Sequence, residues 1–320
     1  MTEEIEIIKG ASLWHDAWKR LLRNKLAVFG MVVMVIMVIA VVIGPAIIQM
    51  ATGYSYDTIP TDSALVRAMS PSWTHPMGTD EAGRDILARV LQGGRISLMV
   101  GIISTAVSLI IGVSYGATAG FLGGRIDNVM MRIVDILYSI PYILIVIVLL
   151  SVFGGPSTPH WIQWLSTTFG GAGNQGLSQI FLLFFALGLV SWLTMARVVR
   201  GQILSLKNQE FVQAARATGV SNFGIIFRHL VPNALGPVII YATLTVPSVM
   251  LTEAFLSFLG LGVQAPFASW GSLASDGIKN IAIFPWQLIF PGLTMALTLF
   301  SLNFLGDGLR DALDPQTRKF

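Results

Sequence analysis

The chain is 320 residues long, 54% hydrophobic and only 12% charged, with a formal net charge of +3. Soluble domains carry roughly a quarter charged residues, so these proportions exclude an ordinary water-soluble fold. The absence of cysteine excludes disulfides, thiolate-held metals and thiol catalysis.

A bilayer-crossing helix needs about 20 mostly apolar residues. Charge-free intervals of that length predict six such helices, at about 26–49, 97–121, 133–153, 178–196, 234–258 and 286–306. Backbone polar groups in hydrocarbon must be satisfied internally, so the spans are helical and the fold class is all-α, a polytopic membrane protein. Of the 20 Lys and Arg, all but Arg67, Arg84, Arg89, Arg95 and Lys279 fall on the N-terminal side of the membrane. The asymmetry places both termini in the cytoplasm and accounts for the net charge without a nucleic-acid partner. No cleavable signal peptide is expected, because a charged stretch precedes a first span too long for an h-region.

Residues 1–25 form a cytoplasmic segment in which Trp14, Ala17, Trp18, Leu21 and Leu22 recur at helical spacing behind Ser12, a potential N-cap. Lys19, Arg20 and Arg23 would meet lipid phosphate while the indoles sit at headgroup level. The helix serves either as an interfacial anchor or as an element docked on the first span, 26–49. The outer loop, 50–95, turns at Pro60, Pro71 and Pro76 and then interleaves Asp80, Glu81 and Asp85 with Arg84, Arg89 and Arg95. The mixture predicts an ion-paired cap, with a short helix begun by Thr79 or Asp80 and running to about 92.

The remaining spans belong to a core unit at 96–306, followed by a cytoplasmic tail at 307–320. Gly112, Gly116 and Gly120 make two overlapping Gly-x-x-x-Gly units, a surface on which another helix approaches backbone to backbone, in this chain or in a partner. Pro141 and Pro247 are expected to bend the third and fifth spans. Asp135 is paired by spacing with Arg132. Glu253 lies within the fifth span, where a charge either lines a solute path or pairs with a neighbour. His15, His75, His160 and His229 are scattered with no i, i+4 pair, so no metal site is expected. Trp161 and Trp164, in an outer loop at 154–177, suit the membrane interface.

The most informative segment is a polar loop between spans, 197–232. A helix at about 205–217 carries Phe211, Ala214, Ala215 and Thr218 on one face, with small alanines that admit a close partner surface. Gly219 suits a left-handed C-cap, Ser221 caps a second helix, and that helix is expected to stop before Pro232. A DNA-reading helix-turn-helix is excluded by its length and its place between spans. Lys never follows Gly in this chain, so no phosphate-cradling P-loop exists and any ATP hydrolysis belongs to another chain.

The run Gln213-Ala214-Ala215-x3-Gly219-x9-His229-Leu-Val-Pro232 resembles the "EAA" loop of permease subunits of ABC importers. Three more stretches resemble the second permease of oligopeptide and dipeptide importers: Gly78-Thr-Asp-Glu-Ala-Gly-Arg-Asp85; Leu256-Ser-Phe-Leu-Gly-Leu-Gly262 with Ser269-Trp-Gly271; and Asn303 through Pro315. The resemblance, from Leu13 to Pro315, implies a type I ABC importer permease fold with coupling helices docking on cytoplasmic ATPase subunits. It assigns that contact to Glu210, Gln213, Ala214, Ala215, Arg216, Gly219, His229 and Pro232. Three positions depart from the pattern: the motif glutamate is Gln213, with Glu210 one turn earlier; His229 replaces isoleucine; Val231 replaces leucine. The implied partners are a homologous second permease, two ATPase subunits carrying ATP and Mg, and a periplasmic solute-binding protein delivering peptide. This chain itself would hold no cofactor, no metal and no catalytic residue. The same architecture imports nickel or glutathione, and an ion-coupled secondary transporter is the alternative from another class, with Glu253 its main candidate for an ion-binding group.

Overall fold

The computed structural model describes residues 13–62, 65–153, 158–170 and 175–313. Ser12, the ends of the 154–177 loop and the tail beyond Leu313 lie outside the described residues. The elements in chain order are α1 (Leu13–Arg23), α2 (Lys25–Thr52), α3 (Ile86–Leu122), α4 (Gly124–Ser139), α5 (Tyr142–Phe153), α6 (His160–Gly170), α7 (Gln175–Leu206), α8 (Glu210–Ala217), α9 (Asn222–Gly224), a π-helical stretch (Ile225–Leu230), α10 (Val231–Phe258), α11 (Trp270–Lys279) and α12 (Trp286–Leu313). Among the described residues there is no strand. Five helices are long and apolar enough to cross a membrane, and the bent pair α4–α5 makes a sixth crossing if taken as one span.

The bend expected at Pro141 is a full break that divides the 133–153 span between two helices. α4 and α5 meet at 84°, with the break at Ile140-Pro141. Pro141 has no N–H for the carbonyl of Leu137, which accepts instead from the Ile140 N–H at 3.4 Å. The proline ends one helix and starts the next.

The core is built on α3 against α7, and small residues set their separation. A Cβ on Gly112 would stand 2.6 Å from the Met195 side chain, and one on Gly120 would stand 3.0 Å from the Arg200 carbonyl oxygen. The Gly116 Cβ would fall inside the Ala196 carbonyl. The glycine stripe therefore faces a helix of the same chain, and the partner-packing alternative has no free glycine surface to use. Ser104, fully buried, donates to the Phe184 carbonyl at 2.8 Å across the same interface. Near its far end Arg200 grips Asp127 of α4 with Nε and Nη2 at 2.5 and 2.6 Å, a bidentate fork. Asp135 pairs with Arg197 of α7 at 2.8 Å, not with Arg132 as spacing predicted: the helical neighbour lost to a guanidinium on the facing helix.

α2 lies against this core and presents Leu26, Phe29, Val32, Ile36, Ile39, Ile43 and Ile47 outward, burying only Ala27, Gly30 and Val41. That is the pattern of a helix solvated by lipid tails. Pro45 lies inside it and cannot bond the carbonyl of Val41. Arg95 of α3 supplies the missing donor, with Nε 2.6 Å from the Val41 carbonyl oxygen and Nη2 2.6 Å from that of Val42. Arg95 thus joins two helices rather than the ion-paired cap. Arg95→Gln is expected to destabilise the purified protein by about 1–3 kcal/mol, the cost of unpaired polar groups. In a Pro45→Ala background, where the helix can bond its own carbonyl, the loss should shrink; thermal unfolding of both pairs measures it.

α1 settles between the two uses open to it. Ala17 and Leu21 are buried with Ala27 of α2 and Ala312 of α12, while Trp18 and Leu22 remain exposed. The helix is docked on the first span and on the end of the last one.

At the opposite end from residues 207–221, the expected short helix at 80–92 does not exist as a separate element. Asp85 is the N-cap, its Oδ1 accepting from the Ala88 N–H at 2.8 Å, and α3 runs unbroken from Ile86. Asp80 is drawn off by Arg84 and Arg89 at 2.8 and 2.5 Å, which leaves Asp85 to cap. His75 Nδ1 lies 2.8 Å from the other Asp85 oxygen. Fully buried Trp270 anchors this end, donating from Nε1 to the Val90 carbonyl at 2.8 Å.

Candidate functional site

Two features carry functional weight, a helical loop standing off one end of the bundle and a cavity inside it. The loop differs from the sequence expectation in its boundaries. α7 runs on to Leu206, and α8 begins only at Glu210, with Gln209 as an N-cap that makes no side-chain bond. Its C-terminus follows the expected chemistry. Gly219 has φ +77°, its N–H donates to the Arg216 carbonyl at 3.0 Å, and the Val220 N–H donates to that of Ala215 at 3.1 Å. Ser221 then caps α9, its Oγ accepting from the Gly224 N–H at 3.2 Å.

The second helix does not stop before Pro232. It passes through the π-helical stretch and continues as α10, with Val231 in right-handed helical geometry (φ −58°, ψ −46°) and its N–H bonded to the Ile226 carbonyl, five residues back. The wider π turn absorbs the register change that the proline, which offers no N–H, imposes at this junction. His229 is half-buried there, its carbonyl accepting from Asn233 Nδ2 at 2.6 Å.

Two faces of α8 divide the assigned residues. Val212 and Ala215 are buried with Ile225, Ile226 and Leu230 and with Ala117, Met195 and Val199 of the core. Ala215 therefore seats the helix and is not part of an open alanine face, a correction to the shared-face reading. Glu210, Phe211, Gln213, Ala214, Arg216 and Gly219 are exposed. Lys207 Nζ donates to the Gly120 carbonyl at 3.0 Å, and the Arg216 guanidinium lies over the Phe121 ring at 5.3 Å. Lys207, just before α8, and Arg216 on it thus tie this helix to the last turn of α3. Phe223, 71% exposed, lies beside Phe227 with ring centroids 4.6 Å apart. An exposed aromatic pair next to α8 was legible as Phe223-x3-Phe227 and was missed.

The cavity, about 460 Å³, opens where the α4–α5 break leaves space against α7 and α10. α10 gives it Tyr241, Thr245, Ser248 and Thr252, a hydroxyl stripe at helical spacing that the sequence also displayed. Ser191 and Thr194 of α7 and Tyr138 and Tyr142 at the break add four more hydroxyls. Tyr138 and Thr194 bond to each other through their hydroxyls. No charged residue lines it; the Arg197 guanidinium lies over the ring of Tyr138, 4.1 Å from its centroid, and is held by Asp135.

Glu253 is one residue beyond this stripe and points elsewhere. It is 1% exposed, and its Oε1 accepts from Ser257 at 2.6 Å and Ser269 at 2.7 Å. Glu253 therefore ties α10 to the start of α11, the pairing alternative, and does not line this cavity. Among the described residues no cluster of His, Cys, Asp or Glu is arranged to hold a metal.

Residues 112–319 match the family described as the inner-membrane component of binding-protein-dependent transport systems, and residues 12–68 match the N-terminal transmembrane domain of oligopeptide transport permease C. The chain belongs to this transport family. It is 46% identical over 318 residues, covering 99% of this chain and 95% of the relative, to the oligopeptide transport system permease protein OppC of Escherichia coli strain K12. It is 42% identical, over 99% of this chain and 90% of the relative, to the dipeptide transport system permease protein DppC of Bacillus subtilis strain 168. A solved inward-facing MetNI methionine ABC transporter aligns with a TM-score of 0.49 and 19% identity, over 70% of this chain and 96% of that one. As an inner-membrane transport component, the chain is assigned no step of bond chemistry.

Proposed function

We propose that this chain is the second permease subunit of an ATP-driven peptide importer, pairing with a homologous permease to enclose the translocation path. The observation that carries this reading is the exposed face of α8 with Phe223, rigidly joined to α3 and lacking any nucleotide-binding motif of its own. Glu210, Phe211, Gln213 and Ala214 dock on one of two cytoplasmic ATPase subunits, which carry ATP and Mg. Val212 and Ala215 transmit the displacement into the bundle, Gly219 sets the turn at which α8 pivots, and Pro232 lies in the continuous helix that carries the movement into α10. The Lys and Arg distribution supports cytoplasmic termini, a periplasmic 50–95 segment and a coupling segment at 197–232 within the 96–306 core. A periplasmic binding protein delivers the solute to the opposite end.

Relatives named for oligopeptides and dipeptides favour peptide over nickel or glutathione. The hydroxyl-lined, uncharged wall suits a ligand rich in amide groups and of varied side-chain charge. Hydroxyls both donate and accept hydrogen bonds, so they meet either end of a peptide unit. The test is uptake of labelled trialanine in cells carrying the assembled importer. Uptake that persists with a proton ionophore while ATP is maintained, and stops on ATP depletion, is expected. The reverse pattern would assign the chain to ion-coupled transport.

A further inference from the structure

At the end opposite the coupling loop a cavity of about 310 Å³ is enclosed by the start of α3, the turn at 258–267 and α11. Its cationic wall is Arg84 and Arg89, and both guanidiniums share one oxygen of one carboxylate, Asp80 Oδ2, at 2.8 and 2.5 Å. The other oxygen, Oδ1, is committed to the N–H groups of Ala82 and Arg84. Arg89 has a side chain only 8% exposed, and its buried Nε has no acceptor among the described residues. Asp276, on the same wall, is taken by Lys279 at 3.2 Å. The site therefore sets two guanidiniums on one carboxylate and leaves the buried Arg89 Nε unpaired, and an unpaired buried charged donor is costly. Guanidinium forks match a carboxylate two bonds at a time. Ser272 and Ser275 add hydroxyls, and Phe258 and Phe267 add an apolar wall.

We propose that this cavity binds a carboxylate, the C-terminal carboxylate of a peptide on its way into the path, with the terminal side chain against Phe258 and Phe267. The proposal rests on the peptide-import reading above. It gives the Gly78–Asp85 motif a role beyond capping α3, since the motif places Asp80, Arg84 and the first turn that carries Arg89.

The chain has no cysteine, so occupancy can be read directly. Gln264 lines the cavity and is exposed, and Gln264→Cys introduces a unique thiol in the importer assembled with cysteine-free partner subunits. Alkylation of that thiol by a maleimide is measured with saturating trialanine and with trialanine amide. Trialanine is expected to slow alkylation about tenfold, the amide to leave it unchanged, and Arg84→Gln in the same background to abolish the protection, since one charged hydrogen-bonded contact is worth about that factor. Equal protection by acid and amide, no protection by either, or protection that survives Arg84→Gln would each overturn the proposal. The comparison of acid with amide needs only Gln264→Cys, so it stands even where Arg84→Gln fails to assemble. Uptake of trialanine by the same complex separates failure of the site from failure of the peptide reading.

Discussion

Gly116→Leu is expected to abolish accumulation of the assembled protein. A Cβ at 116 would overlap the carbonyl of Ala196, a backbone atom that cannot rotate away. Lipid offers no hydrophobic drive to hold helices together, so α3 and α7 depend on dispersion contacts at close approach. Forcing the pair apart also pulls on the Ser104 bond to Phe184 and on the Arg200–Asp127 fork. Overpacking of a close interior ordinarily costs about 1–3 kcal/mol, and a backbone clash that no side chain can relieve belongs at or above the top of that range. Gly201, also helical and with nothing near its Cβ position, is the control. Gly201→Leu should accumulate to nearly the normal level in the membrane, and equal loss from both substitutions would contradict the account of the α3–α7 interface.

The second large effect concerns Glu253. Glu253→Ala should lower the thermal stability of the purified protein severely, because Ser257 and Ser269 lose their common acceptor inside a closed junction. Two buried hydroxyls left unsatisfied cost about 1–3 kcal/mol each, and the cavity adds to that. Glu253→Gln retains an oxygen acceptor and nearly the same volume, so it should keep most of the stability and all of the transport. A pathway or ion-coupling role predicts the opposite ordering for function, with Glu253→Gln folded and inactive. Measuring the unfolding midpoint and peptide uptake for both variants separates the two.

The apolar architecture was legible because the bilayer leaves so few solutions. Helix α2 reads as a lipid-facing span from its unbroken apolar run, and the glycine stripe at 112, 116 and 120 reads as a close-approach surface. What escaped was set by competition between residues distant in sequence. Asp80 looks like the cap of a short helix until Arg84 and Arg89 compete for it, and the cap passes to Asp85. Asp135 has Arg132 within helical reach, yet Arg197 on the facing helix takes it. Pro141 was expected to bend a span and instead divides it, because Ile140 bonds the carbonyl that the proline cannot. Pro232 was expected to end a helix, and a π turn lets the helix run through it.

The candidate site divides in the same way. The glycine cap at 219 and the serine cap at 221 follow from local chemistry and stand where the residues indicate. The inward turn of Ala215 depends on Ile225, Ile226 and Leu230, which no local rule connects to it. The hydroxyl stripe Tyr241, Thr245, Ser248 and Thr252 was present at helical spacing all along, hidden because hydroxyl residues in an apolar span do not interrupt its hydropathy. Glu253 drew attention by its charge, and its neighbours on the stripe line the cavity instead.

In the proposed mechanism α8 receives force from an ATPase, and a single-cysteine crosslink reads that contact. Gln213→Cys places a thiol on the exposed face of α8, and Glu81→Cys, also exposed, marks the opposite end. With the complete importer assembled, the thiol at 213 should crosslink to the ATPase subunits with a yield that changes when nucleotide is added, and the thiol at 81 should not crosslink to them at all. An assembled complex in which 213 never reaches an ATPase subunit, with or without nucleotide, would contradict the coupling role of this loop.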